Sequence, residues 1–229
     1  MKLFGGALTV VLSASAALAQ APATPPDTPT YVVTYLEVVP ATNAQAIGLL
    51  KEIASSSRKE PGNQRYDILR RIDRDNQFVI LEAWSTLREQ QAHGAGAALK
   101  QFQDKLTPLR SAPYDDRPSI GITVAPASGP LAEGSIYVVT HVDVAPPSKD
   151  ECGEMLKRLG EEARREPGGE RFEAWQQNNR PNHFTVTEIW KDQATEAAHV
   201  VSASTKAFRE KLSPMQGALY DERLYMKID

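Results

Sequence analysis

Two stretches of the chain, Asn76-Gln-Phe-Val-Ile-Leu-Glu-Ala-Trp84 and Asn182-His-Phe-Thr-Val-Thr-Glu-Ile-Trp190, carry Asn, Phe, Glu and Trp at the same four places, 106 residues apart. The same offset, without a gap, superimposes residues 31–123 on 137–229 with 31 of 93 positions identical, far beyond chance. Tyr31-Val-Val-Thr34 returns as Tyr137-Val-Val-Thr140, and Glu60-Pro61-Gly62 as Glu166-Pro167-Gly168. His93, Phe102, Lys105-Leu106, Pro108 and Tyr114-Asp115 return as His199, Phe208, Lys211-Leu212, Pro214 and Tyr220-Asp221. The chain is therefore two copies of one domain, joined by a Pro/Gly/Ala/Ser-rich linker at residues 124–136.

Strand alternation in the first stretch puts Phe78, Ile80, Glu82 and Trp84 on one face and Val79, Leu81 and Ala83 on the other. Both faces are largely apolar, so helices on one side leave the other side in need of a second cover. Around this strand each copy reads alike. Residues 31–39 and 137–145 are β-branched and aromatic, and end at Pro40 and Pro146 as strands do. From Asn43 and Ser148 the period lengthens: Ala46, Leu49, Leu50 and Ile53, matched by Cys152, Met155, Leu156 and Leu159, mark helices stopped by Pro61-Gly62 and Pro167-Gly168. Paired strands follow at 64–72 with 76–84, and at 170–178 with 182–190, then one or two helical segments up to Pro108 and its counterpart. A last strand near Gly121, and near Leu224–Ile228, completes each copy. The order is β-α-β-β-α-β, so the fold class is α+β: two tandem ferredoxin-like domains packed sheet on sheet about a pseudo-two-fold axis.

The composition narrows the function. In 229 residues, 41% are hydrophobic and 24% charged, with a net charge of −3 and no basic run, which disfavours nucleic acid as a partner. One cysteine, Cys152, excludes an intrachain disulfide and a zinc ribbon. Lys2 precedes an uncharged apolar stretch ending Ala17-Leu18-Ala19, the pattern of a secretory signal cut after Ala19. Residues 20–30 then hold four prolines and read as an extended tether. The expectation is a periplasmic or secreted protein with no membrane span after cleavage.

The order strand, helix, Glu-Pro-Gly, paired strands, Asn76-x-Phe78-x-x-x-Glu82-x-Trp84, His93 nine residues after the Trp and Phe102 nine after the His resembles the antibiotic biosynthesis monooxygenase family of dimeric α/β-barrels. The resemblance covers about 186 of the 229 residues, because it holds in both copies. It implies an intrachain pseudo-dimer, with further self-association left open. It also implies an enzyme similar to quinol monooxygenases, acting on a small aromatic quinol or phenol with dioxygen and without metal or flavin. Such a ring, once deprotonated, donates an electron to oxygen itself, and the protein binds it, removes a proton and excludes water. Dinucleotide, P-loop, zincin and nucleophile-elbow motifs are missing from the sequence.

The resemblance nominates His93 and His199 as proton acceptors, against a helix-capping or solvent-facing role. Trp84 and Trp190 are either an aromatic wall for the substrate or core filling. Glu82 and Glu188 share their face and, if buried, need a partner such as a salt bridge or a helix end. Asn76 and Asn182 enter the strand, where Asn suits a left-handed turn. Tyr114 and Tyr220 are phenolic donors or core residues. Arg65, Arg171, Arg117 and Arg223 also recur, and exposed ion pairs account for them.

Departures from the family pattern keep other readings open. Where many quinol-oxidising members have a second His, this chain has Ala98-Leu99 and Ser204-Thr205. Where the related haem-degrading enzymes have an Asn on the first strand, it has Tyr35 and His141, which disfavours haem, although His141 with His199 offers two imidazoles to a metal. A non-catalytic module binding a small ligand or a partner outside the cytoplasm is the alternative to an enzyme.

Overall fold

The computed structural model describes residues 24–125, 131 and 134–229; the expected signal segment and parts of the tether and linker lie outside the described residues. The first copy runs β1 (Thr30–Glu37), α1 (Asn43–Ser57), β2 (Asn63–Arg71), β3 (Gln77–Trp84), α2 (Leu87–Gly94), α3 (Ala97–Leu106) and β4 (Asp115–Thr123). The second repeats it as β5 (Ile136–Asp143), α4 (Lys149–Ala163), β6 (Gly169–Gln177), β7 (His183–Trp190), α5 (Gln193–Val200), α6 (Ala203–Leu212) and β8 (Asp221–Lys227). Among the described residues no helix is long and apolar enough to cross a membrane.

The eight strands among the described residues form one closed antiparallel barrel in the order β1-β3-β2-β8-β5-β7-β6-β4. Sheet packed on sheet therefore understates the joint. The last strand of each copy bonds to the free edge of the other, β4 to β6 and β8 to β2, so the two sheets share hydrogen bonds and leave no edge open. Side chains cross the joint as well: Asp229 of the second copy takes Arg58 and the backbone N–H of Ile68, and Arg164 donates to Thr123 at 3.2 Å.

Alternation along the strands makes three apolar clusters. Val33, Leu69, Val79, Leu81, Tyr137, Val139, Trp175, Ile189 and Tyr225 fill the barrel from both copies. Outside it, α1 and α3 cover Phe78, Ile80 and Ile68, and α4 and α6 cover Phe184, Val186 and Ala174. Cys152 is buried in the second of these helix-covered layers. Arg65 does not sit in an exposed ion pair. Its guanidinium points into the barrel and meets the buried Glu173 of the other copy at 2.7 Å, because residue 65 is inward-facing on β2. The end of the expected tether is docked: Pro26 and Thr28 carbonyls accept from the backbone N–H of Arg88 and Leu87 at the start of α2.

Candidate active site

Residues two apart on a strand share a face, and this brings Trp84 beside Glu82 on the helix-covered side of β3. The indole Nε1 donates to Glu82 Oε2 at 2.8 Å. Thr86 caps α2 by accepting from the Glu89 N–H, and one helix later His93 turns back to the sheet, its ring 4.8 Å from the Trp84 ring and tilted by 30°. The chain leaving α1 reverses at Pro61-Gly62. Gly62 has φ of 78°, and a Cβ there would strike Glu89, so only glycine serves. That turn carries Glu60 to His93, with Nδ1 3.0 Å from Oε2, and it is tied to the strand end by the Ser85 N–H donating to the Gly62 carbonyl at 2.8 Å.

The second copy repeats the arrangement. Trp190 donates to Glu188 at 2.9 Å, the His199 ring lies 4.5 Å from Trp190, and Glu166 stands 3.0 Å from His199 Nδ1. Gly168 takes the same turn at φ of 82°.

Burial dominates the electrostatics. Removal from water pushes the carboxyls of Glu82 and Glu188 up to about 8, against the opposite pull of the indole hydrogen bonds, so both are protonated at neutral pH. Asp116, which accepts from Thr34 at 2.9 Å, is raised by burial too, and burial holds the Tyr114 and Tyr220 hydroxyls protonated. With a carboxylate facing Nδ1 of His93, that nitrogen donates, and in the neutral ring Nε2 then carries the lone pair. In the first copy this Nε2 is buried without a hydrogen-bond partner, 3.9 Å from Glu82. In the second, Nε2 of His199 lies 3.1 Å from Thr205 Oγ1 and 3.4 Å from Glu188.

The fold thus gathers Trp84, Glu82, His93 and Tyr114 in one copy, and Trp190, Glu188, His199 and Tyr220 in the other. The histidines are buried, neither capping a helix nor facing solvent, because each has a glutamate to receive it. Glu82 and Glu188 take their hydrogen bond from the indole and not from a helix end, with the imidazole Nε2 of His93 and His199 at 3.9 and 3.4 Å. Asn76 and Asn182 sit at the far end of the strand, where their amides donate to the carbonyls of Val38 and Val144 at 2.8 Å. They do this without left-handed backbone: among the described residues only glycines have positive φ. His141 and Tyr35 face the barrel interior, the opposite side of the sheet from His199 and His93. His141 there contacts His183 and Arg117, each at 3.2 Å, so His141 and His199 do not share an ion. The partners that sequence reasoning missed are Glu60 and Glu166. Their signal, Glu-Pro-Gly repeated in both copies, was legible as a helix stop and not as a carboxylate aimed at a histidine.

A cleft of about 400 Å³ opens beside the first cluster, lined by Tyr35, Phe78, Tyr114, Asp115, Arg223 and Tyr225. Tyr114 lines it, with its hydroxyl held protonated chiefly by burial and with Glu82 and Asp116 nearby. A larger hollow of about 510 Å³ at the barrel mouth holds Tyr31, Arg65, Asp67, Tyr137 and Glu173.

Comparison with known proteins agrees with this architecture. The family model described as antibiotic biosynthesis monooxygenase matches residues 29–105 and again 135–211. A Bacillus subtilis (strain 168) protein named "Putative monooxygenase YcnE" is 31% identical over 81 residues, spanning 35% of this chain and 85% of its own length. Among solved structures, a Fusobacterium nucleatum protein described as "Putative monooxygenase" superimposes with a TM-score of 0.78 at 15% identity, covering 88% of this chain and 93% of that one. An anthrone oxidase-like protein superimposes at 0.71 with 12% identity, covering 89% and 92%. At these identities the two structures establish the shared fold.

Proposed function

The chain belongs to the antibiotic biosynthesis monooxygenase family, and from that premise we propose that it oxidises a small aromatic quinol or phenol with dioxygen, the ring itself supplying the electrons. The observation that carries this reading is the buried His93 Nε2, which has no hydrogen-bond partner while Glu60 holds the opposite ring nitrogen, next to a protonated Glu82 and the Trp84 ring. The substrate reaches it from the cleft lined by Tyr114. His93 takes the hydroxyl proton, and Glu60 stabilises the imidazolium that forms. The phenolate then passes one electron to dioxygen, and collapse of the radical pair makes the new carbon–oxygen bond.

The reaction balances without an external reductant. A hydroquinone with a ring C–H and one dioxygen give a hydroxyquinone and one water: the O–O bond breaks, one oxygen stays on the ring, and the other leaves with two hydrogens. The ring loses the four electrons that dioxygen gains. Protonated Glu82 is placed to give a proton to the departing oxygen, and the dry surroundings hold water away from the radical pair. We also place this activity outside the cytoplasm, on the signal pattern ending at Ala19.

Oxygen uptake with a hydroquinone panel tests the proposal. Wild type is expected to exceed the buffer rate, and His93→Ala with His199→Ala, which removes the imidazole from both Trp/Glu clusters and leaves His141 and His183 in the barrel, to fall back to it. Equal uptake by both removes these histidines from the mechanism.

One observation favours a second reading. Trp84 and Trp190 are essentially fully buried against their histidines in both copies, as scaffold residues are. A non-catalytic ligand-binding module would hold a hydroquinone through aerobic incubation and return it unchanged, as mass spectrometry of the recovered compound would reveal.

A further inference from the structure

We propose that the first copy alone forms the working site, and that Ser57 and Tyr66 complete it by holding the oxygen atoms of a dihydroxyaryl ligand. The inference rests on the reading above and adds residues that belong to neither repeated motif. Among the buried side-chain atoms of the first copy that lack a hydrogen-bond partner of normal geometry are Ser57 Oγ, Tyr66 Oη and His93 Nε2, the two hydroxyls lying close enough to interact with each other. They are neighbours. Tyr66 is the direct cross-strand partner of Glu82, its ring meets the His93 ring edge-on at 5.8 Å, and its hydroxyl lies beside Ser57. Buried polar groups are ordinarily satisfied, so three open ones in one place mark a missing occupant.

The second copy is the internal control. At the 106-residue offset Ser57 becomes Ala163, Tyr66 becomes Phe172 and Leu99 becomes Thr205. The first two changes delete the unmet hydroxyls, and the third adds a hydroxyl that takes up His199 Nε2 at 3.1 Å. Phe172 packs tightly on Gly160, where even a Cβ would lie 2.7 Å from its ring. Gln103 and Asp116 are likewise replaced by Arg209 and Glu222, which pair with each other at 2.8 Å. The matching hydroxyls of the second copy are thus absent and its His199 Nε2 is met within the copy; Thr140 Oγ1, beside Tyr220, and Arg209 Nε are the buried atoms still open on that face among the described residues.

The donor inventory defines the ligand. His93 Nε2 accepts one proton, while the Tyr66 and Ser57 hydroxyls, even with one donating to the other, have an O–H left to donate, and protonated Glu82 adds another. An aromatic ring with one hydroxyl to give and a second oxygen to receive satisfies all of them; a hydrocarbon or a quaternary amine satisfies none.

Anaerobic titration calorimetry of the full chain with 1,4-naphthohydroquinone tests this. One equivalent per chain is expected. Tyr66→Phe with Ser57→Ala, the side chains of the second copy or close to them, is expected to weaken binding at least tenfold, and Thr205→Val to leave it within twofold. Thermal unfolding checks that each variant folds, and Ser57→Ala alone, a minimal change, carries the test if the pair does not. Two equivalents, an unchanged affinity in the Ser57 and Tyr66 variants, or no binding to wild type, which would mean that the three atoms hold only water, overturns the assignment. If one equivalent binds by these residues and survives admission of air unchanged, the oxidation reading fails and the site assignment stands.

Discussion

Glu82 accepts a hydrogen bond from the indole of Trp84, two residues further along the same strand, at 2.8 Å, and Glu188 takes the same bond from Trp190 at 2.9 Å. In each case a buried carboxyl has an aromatic N–H where a cation would ordinarily be. Trp84→Phe keeps most of the apolar bulk and deletes that donor. Glu82 is then expected to titrate higher still, and the protein to lose about 1–2 kcal/mol, read from urea unfolding. An unchanged midpoint would mean that the bond contributes nothing to the folded state.

The same carboxyls set a pH dependence. Glu82 and Glu188 keep their protons up to about pH 8 in the folded chain, against an ordinary value of 4.5. Between those limits the folded state binds more protons than the unfolded one. Stability therefore falls as pH rises from about 5 to 8 and levels off above, with an upper slope of roughly 1.4 kcal/mol per pH unit for each group. Glu82→Gln with Glu188→Gln mimics the protonated forms and is expected to remove that part of the slope. A double variant as pH-sensitive as wild type would contradict the assignment.

An ion pair joins the copies inside the barrel. Glu173 is buried and Arg65 largely so, 2.7 Å apart, and Arg65 also lies over the Trp175 ring at 5.4 Å. Glu173→Ala strands a buried guanidinium and should cost about 3–5 kcal/mol, whereas Glu173→Gln, which still accepts a hydrogen bond, should cost less. Denaturant unfolding of the two variants measures the difference, and equal small losses would show that the pair is solvated.

Residues 31–123 expressed alone would expose the edges of β2 and β4, which in the intact chain pair with β8 and β6. Sedimentation is expected to find a dimer that rebuilds the barrel, or aggregate, in place of a stable monomer. A well-folded monomer would show that closure is dispensable.

Most of this fold was legible because each element appears twice. The alternation of Phe78, Ile80, Glu82 and Trp84, and its repeat, fixed which face met the helices, and the Pro-Gly stops fixed where α1 and α4 end. The exchange of last strands was not legible, since residues 115–123 and 221–227 bear no pattern that names a partner strand. At the site, Trp84, Glu82 and His93 were found through their repetition and their resemblance to a family. Glu60 was hidden because its pairing with His93 depends on a turn 33 residues upstream, and Ser57 and Tyr66, which we propose as ligand-holding residues, because they differ between the copies. Repetition reveals what both halves share and conceals what only one of them uses.

In the proposed reaction an atom of dioxygen enters an aromatic ring under the control of His93. The most direct measurement is mass spectrometry of the product formed from a naphthohydroquinone under ¹⁸O-labelled dioxygen. One labelled atom in the hydroxyquinone from wild type, and none above background from His93→Ala, is the predicted result. A product whose added oxygen comes from water, or equal labelling by both proteins, would contradict it.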